Sequence, residues 1–226
     1  MKSIKTTGRL VGLLFLIIFA TGIIVYQVLQ GPTLFSDEHL AITHTKSTEI
    51  IISTLLSFLS GIISIVIAAM LLPIFKKYNT TLAFLYLAFC ILNFIALSID
   101  NITVLSMLEL SQEYSKNGAG NSEMLNALGH IYYKKHWWSH YLSLLISCFP
   151  VFTLYYTLFV SKLVPKVLSI VGIIAVILMF IQILSSIMGQ GISMSMLLPI
   201  GLIQLILPIW LMIKGLNASV SEIEVK

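Results

Sequence analysis

Six blocks of apolar residues, each about 20 long, constrain this chain more than any other feature. A helix needs about 20 apolar residues to cross ~30 Å of bilayer hydrocarbon. The blocks run over 10–29, 50–73, 81–104, 138–160, 167–188 and 192–213. A soluble core would alternate apolar and polar faces instead. Of the 226 residues, 58% are hydrophobic and 10% charged, where a soluble domain is nearer half and a quarter. The reading is an all-α, polytopic membrane protein: one six-helix bundle spanning residues 1–226.

The basic start of the chain suggests a signal peptide. However, the apolar stretch 10–29 is long for an h-region and no small-x-small site closes it. It reads as a retained first span. With the N-terminus inside, Lys2, Lys5, Arg9, Lys76, Lys77, Lys162, Lys166, Lys214 and Lys226 fall on the inner side, and Lys46, Lys116, Lys134 and Lys135 on the outer side. Nine against four predicts both termini inside, in the cytoplasmic membrane of a bacterium. The net charge of +4 is absorbed by this asymmetry, and without a dense basic run nucleic acid is excluded as a partner. The lipid bilayer is the expected surrounding, and a homo-oligomer stays open.

Two polar segments, 30–49 and 111–135, are expected outside. The third apolar pattern continues to about Leu110, so its excess projects or tilts. Gly118 and Gly120 read as breaks, after which Asn121 or Ser122 caps a short helix carrying Met124, Leu125, Leu128 and Ile131. Tyr132, Tyr133, Trp137 and Trp138 read as an interfacial belt. Pro150 predicts a kink near Ile146. Residues 161–166 and 189–191 read as tight turns.

Polar groups inside a membrane need partners, so they mark candidate sites. In the second block Ser53, Ser57, Ser60 and Ser64, with Gly61, form a small-residue stripe that predicts close helix packing. In the fourth, His136, His140, Ser143 and Ser147 lie on one face. Two imidazoles one turn apart can hold a metal ion or relay protons. In the third, Asn93 and Asp100 share a face, and Asn101 follows. Asp100 lies about 20 residues from the inner end, which at ~1.5 Å per residue reaches the outer boundary. His136 and His140 sit at the same depth, so the three can meet. Zinc on two histidines and one carboxylate plus water is chemically sensible there. All five histidines fall on the outer side, and no ionisable group is placed at mid-span. In the sixth block Gln204 lies between Pro199 and Pro208, where a broken helix can line a cavity.

Cys90 and Cys148 both sit inside apolar blocks and read as buried free thiols, with no CxxC motif. There is no HExxH, nucleophile elbow, phosphate loop or dinucleotide fingerprint.

The opening Arg9-Leu10-Val11-Gly12-Leu13-Leu14 with Gly22, the ending Leu198-Pro199, Gln204 and Trp210-Leu211-Met212-Ile213-Lys214-Gly215, and the stretch His136 to Leu144 leading to Pro165-Lys166 resemble the bacterial membrane proteins grouped as domain of unknown function 4386. The resemblance covers nearly the whole chain. It departs at Gln204, where the family often has an acid, and at Trp137, Trp138 and Ser139, where it often has Gly-Tyr-type residues. His136 matches the family's pattern and His140 does not, so the resemblance carries His136 alone. It implies a six-helix bacterial membrane protein and lends no activity.

Three functions are expected. The favoured one is a non-enzymatic protein binding a lipid, a small apolar ligand or a partner helix, with no cofactor. The second is a metal-dependent hydrolase at the outer leaflet using Asp100 and His136, with zinc as the metal. The third is a small transporter of a neutral solute, built around Gln204.

Overall fold

The apolar blocks become helices because a chain in hydrocarbon must satisfy every backbone N–H and C=O internally. The structure is a computed structural model and describes residues 4–36, 38–117 and 122–217. Helix α1 (Ile4–Ile23) passes into a π-helical segment (Ile24–Gln30), and short helices α2 (Gly31–Leu34) and α3 (His39–Ile42) follow. A 3₁₀ turn (Thr43–Lys46) leads into α4 (Ser47–Phe75). Then come α5 (Thr80–Asn117), α6 (Ser122–Ser161), α7 (Lys166–Ile187) and α8 (Met194–Lys214). No strand occurs among the described residues. Six of these helical stretches are long and apolar enough to cross a membrane.

The helices close a ring. Going round, α1 packs on α4, α4 on α5, α5 on α6, α6 on α7, α7 on α8, and α8 back on α1. The closing contact joins the two ends of the sequence. A Cβ on Gly12 of α1 would lie 2.7 Å from the Pro208 carbonyl oxygen and 2.8 Å from Leu211 of α8. Only glycine permits that approach, a small-residue device general to membrane helices. Asn217 then pins the segment after α8 to the α6–α7 turn, its N–H donating to the Leu163 carbonyl at 2.8 Å. The first and last described residues therefore lie at one end of the bundle, called here the terminal end.

That end is sealed by an apolar core. Val11, Ile67, Leu71, Phe75, Tyr86, Leu158, Leu163, Val176, Leu207, Leu211 and Leu216 are buried together, drawn from all six long helices and the chain beyond α8. Outward faces carry exposed apolar side chains such as Leu55 and Val167, as lipid contact requires.

The opposite, distal end differs from expectation in one respect. The described parts of segment 111–135 are the ends of two long helices rather than a polar loop holding a separate short helix. Helix α5 is 38 residues long and α6 is 40, about 57 and 60 Å at ~1.5 Å per residue, so both run well past the ~30 Å of hydrocarbon. The helix carrying Met124, Leu125, Leu128 and Ile131 is the first part of α6 itself. The breaks assigned to Gly118 and Gly120, and the cap assigned to Asn121, lie outside the described residues. Tertiary contact sustains the extension. Residues 31–36 and 38–46 fold back as a lid over α5 and α6. Leu34 is fully buried beside Ile50, Val104, Met107 and Leu108, with Tyr132 and Tyr133 against them. Ser111 donates to the Leu40 carbonyl at 2.7 Å and accepts the His44 N–H at 2.8 Å.

Candidate functional site

The site begins with Asp100, the only buried acidic residue among the described ones, at 2% exposure. A carboxylate in such surroundings persists only if paired and hydrogen-bonded. Helix α5 points it at α6, where His136, Ser139 and His140 fall on one face, three and four residues apart. Oδ1 accepts from His136 Nδ1 at 3.1 Å and from the Ser139 hydroxyl at 2.6 Å. Oδ2 accepts from His140 Nδ1 at 3.3 Å. Thr103, one turn along α5, lies 2.8 Å from the Ser139 hydroxyl and donates to the Asp100 carbonyl at 2.7 Å.

An ionised carboxylate only accepts, so each Nδ1 carries a proton toward it and each Nε2, across the ring, is left without a bond to the acid. Two aromatic rings also stand against these imidazoles. Tyr26, in the π segment, meets His140 edge-on with centroids 5.4 Å apart. Phe35, just after α2, lies 5.8 Å from His136 and 5.9 Å from His140. The imidazoles, 5.8 Å from each other, are thus held between a carboxylate and an aromatic cover.

The π segment has a local cause. Pro32 lacks an N–H and its ring crowds the carbonyl four residues back. Widening the preceding turn relieves the clash, and Gly31 N–H donates five residues back, to Tyr26. A Cβ on Gly31 would run into that same carbonyl, so the segment needs glycine there. π turns are frequent at functional sites. This one turns Gln30 inward, 3% exposed, where its amide donates to Ser53 at 3.0 Å. The Tyr26 hydroxyl lies beside Ser57.

The residues singled out from sequence divide accordingly. Asp100, His136 and His140 meet. Ser143 is buried one turn below His140, and Ser147 donates to the Leu144 carbonyl at 2.6 Å. Asn101 is buried on α5, whereas Asn93 is half-buried two turns below Asp100. Gln204 is half-buried on α8, whose neighbours are α1 and α7. In the small-residue stripe, Ser53 and Ser57 face the π segment. Gly61 sits against Phe94 of α5, where a Cβ would come within 2.5 Å of the ring. Ser60 and Ser64 are half-buried, with Ser64 beside Cys90. Sequence reading missed Ser139, Thr103, Tyr26, Gln30 and Phe35. Ser139 and Thr103 carried a signal, each lying three residues from a site residue on its own helix.

Two chemical readings can be checked against this geometry. A serine triad needs the hydroxyl on an imidazole, yet Ser139 donates to the carboxylate. For a metal, the carboxylate itself occupies the point where both Nδ1 atoms converge. Among the described residues no group of three His, Cys, Asp or Glu side chains is disposed to hold an ion.

Comparison with curated proteins and with solved structures gives no match. The family model described as Domain of unknown function (DUF4386) matches residues 10–215, and so takes in α1 from Leu10 onward, the other five long helices, the lid and the Asp100 cluster. The chain therefore belongs to the DUF4386 family.

Proposed function

We propose that this membrane protein is a non-enzymatic binding protein whose ligand, a lipid or a small molecule, docks at the distal end against the Asp100 cluster. One observation carries the reading: a buried carboxylate, bound by three donors, orients two imidazoles that also pack against the rings of Tyr26 and Phe35. Buried polar groups this costly are kept where they are used. The hydrogen-bond directions favour recognition over bond cleavage, because no hydroxyl is handed to a base. The excess of basic residues at the terminal end supports an outward-facing site. Gln204 lies apart from the cluster, so a solute path through α8 draws no support from it.

The test is native mass spectrometry of the full chain released from mild detergent. A molecule retained by the wild type and lost in Asp100→Asn and in His140→Ala supports the reading. A bare wild type, or equal retention in all three proteins, overturns it. Elemental analysis of the same samples is the second arm. A stoichiometric transition metal lost in His136→Ala replaces this reading with the metal-dependent one.

A further inference from the structure

We infer that the distal site recognises an uncharged, hydroxyl-bearing headgroup, and that Asn101 is a residue that reads it. The inference rests on the ligand-binding reading above and deepens it. Asn101 is 6% exposed, and its amide Nδ2 is buried with no hydrogen-bond partner. An orphaned buried donor forfeits its whole hydration, so its retention calls for an explanation.

Its position supplies one. Leu97, one turn earlier on the same face of α5, packs where Gly61 of α4 leaves room. One turn further toward the distal end, Asn101 comes level with Ser57. The Tyr26 hydroxyl lies beside Ser57, and the Tyr26 ring meets His140. Asn101 is thus placed level with a polar band that runs from Ser57 through Tyr26 to His140 and so reaches the Asp100 cluster.

The chemistry of the band selects the ligand. No lysine or arginine is buried among the described residues, so a phosphate or carboxylate head would enter without a counter-charge. The one buried carboxylate already takes three donors, which leaves little for a cation. What remains is an amide and the Nε2 atoms of two imidazoles, which no described side chain bonds. A hydroxyl donates and accepts through one atom, so it answers both, and it suits either rotamer of the amide. Such a head can belong to a neutral glycerolipid or to a free polyol.

The full-length protein in detergent micelles is titrated with dioleoylglycerol, with dioleoylphosphatidylglycerol and with free glycerol, and read by native mass spectrometry. Dioleoylglycerol or glycerol binding is expected, the former assigning the head to a lipid and the latter to a polyol. Asn101→Leu should weaken it about tenfold, the worth of one hydrogen bond. The same variant should melt no lower than the wild type, because leucine removes an orphan donor at similar size. Binding unchanged in Asn101→Leu overturns the inference, as does a preference for phosphatidylglycerol or binding of neither hydroxyl probe. A lowered melting temperature would make Asn101 a packing residue and overturn it equally. If Asp100→Asn loses a co-purified molecule while Asn101→Leu keeps it, this inference falls and the ligand site stands.

Discussion

The Asp100–His136 contact is a buried charge-assisted hydrogen bond rather than a wet surface pair, and a double-mutant cycle distinguishes the two. Both side chains are 2–3% exposed, and the contact is 3.1 Å. Replacing His136 by leucine removes one of three donors and leaves the acid with Ser139 and His140. A charge-assisted bond is worth about 1.5–3 kcal/mol, and stripping a buried charge of its partner altogether costs about 3–5 kcal/mol. With two donors surviving, His136→Leu should cost about 2–3 kcal/mol. Asp100→Leu deletes the charge but orphans two imidazole N–H groups, at about 1–3 kcal/mol each. Part of that is recovered because no carboxylate is then buried. Once one partner is gone, removing the other adds little, so the coupling energy should reach about 1.5–2.5 kcal/mol. That exceeds the ~0.6 kcal/mol average for hydrogen bonds within membranes, and the excess is the charge. Reversible unfolding in mixed micelles, followed by circular dichroism, measures all four proteins. A coupling below about 0.5 kcal/mol would refute the reasoning and make the cluster a hydrated interfacial one.

Two further outcomes follow from the packing. A Cβ on Gly172 of α7 would enter the ring of Tyr155, itself 2% exposed. Gly172→Ala should therefore cost about 1–3 kcal/mol by overpacking, read as a lower melting temperature, and Tyr155→Leu should partly restore it. Phe35 is 45% exposed, so Phe35→Ala should change stability by under about 1 kcal/mol. It should nonetheless speed modification of His140 by diethyl pyrocarbonate, scored by peptide mass spectrometry. Unchanged reactivity would remove Phe35 from its covering role.

The bundle was legible because the length of an apolar block and the thickness of a bilayer are one measurement. The same ruler put Asp100 and the two histidines at one depth, and helical spacing put both imidazoles on one face. What escaped was whatever that ruler does not measure. Beyond residue 110 the composition turns polar, and local pattern reads a loop. The helix persists because Ser111 is bound to Leu40 and His44, 67 to 71 residues away in sequence. Tyr26 and Gln30 were hidden for another reason. A π turn holds more residues than an α turn, so inward positions extrapolated from α1 do not predict the ones that face Ser57 and Ser53. Phe35 belongs to a connector with no period at all.

The two ends of the bundle also explain why the family-like motifs sit where they do. The opening motif around Gly12 and the closing one around Trp210 face each other across α1 and α8, and Arg9 reaches the Ile213 carbonyl at 3.5 Å. Those motifs hold the ring shut at the terminal end, while His136 belongs to the distal cluster. Helix α1 is common to both, because its far end runs through the π segment into the lid. With its first turns fixed against α8, α1 cannot shift as a rigid rod to uncover the imidazoles. Any departure of Phe35 from His136 and His140 must be absorbed between Ile23 and Ser47. In that stretch the hydrogen-bond register departs from α in the π segment and in the 3₁₀ turn Thr43–Lys46, and Tyr26, which meets His140, lies in the first of these.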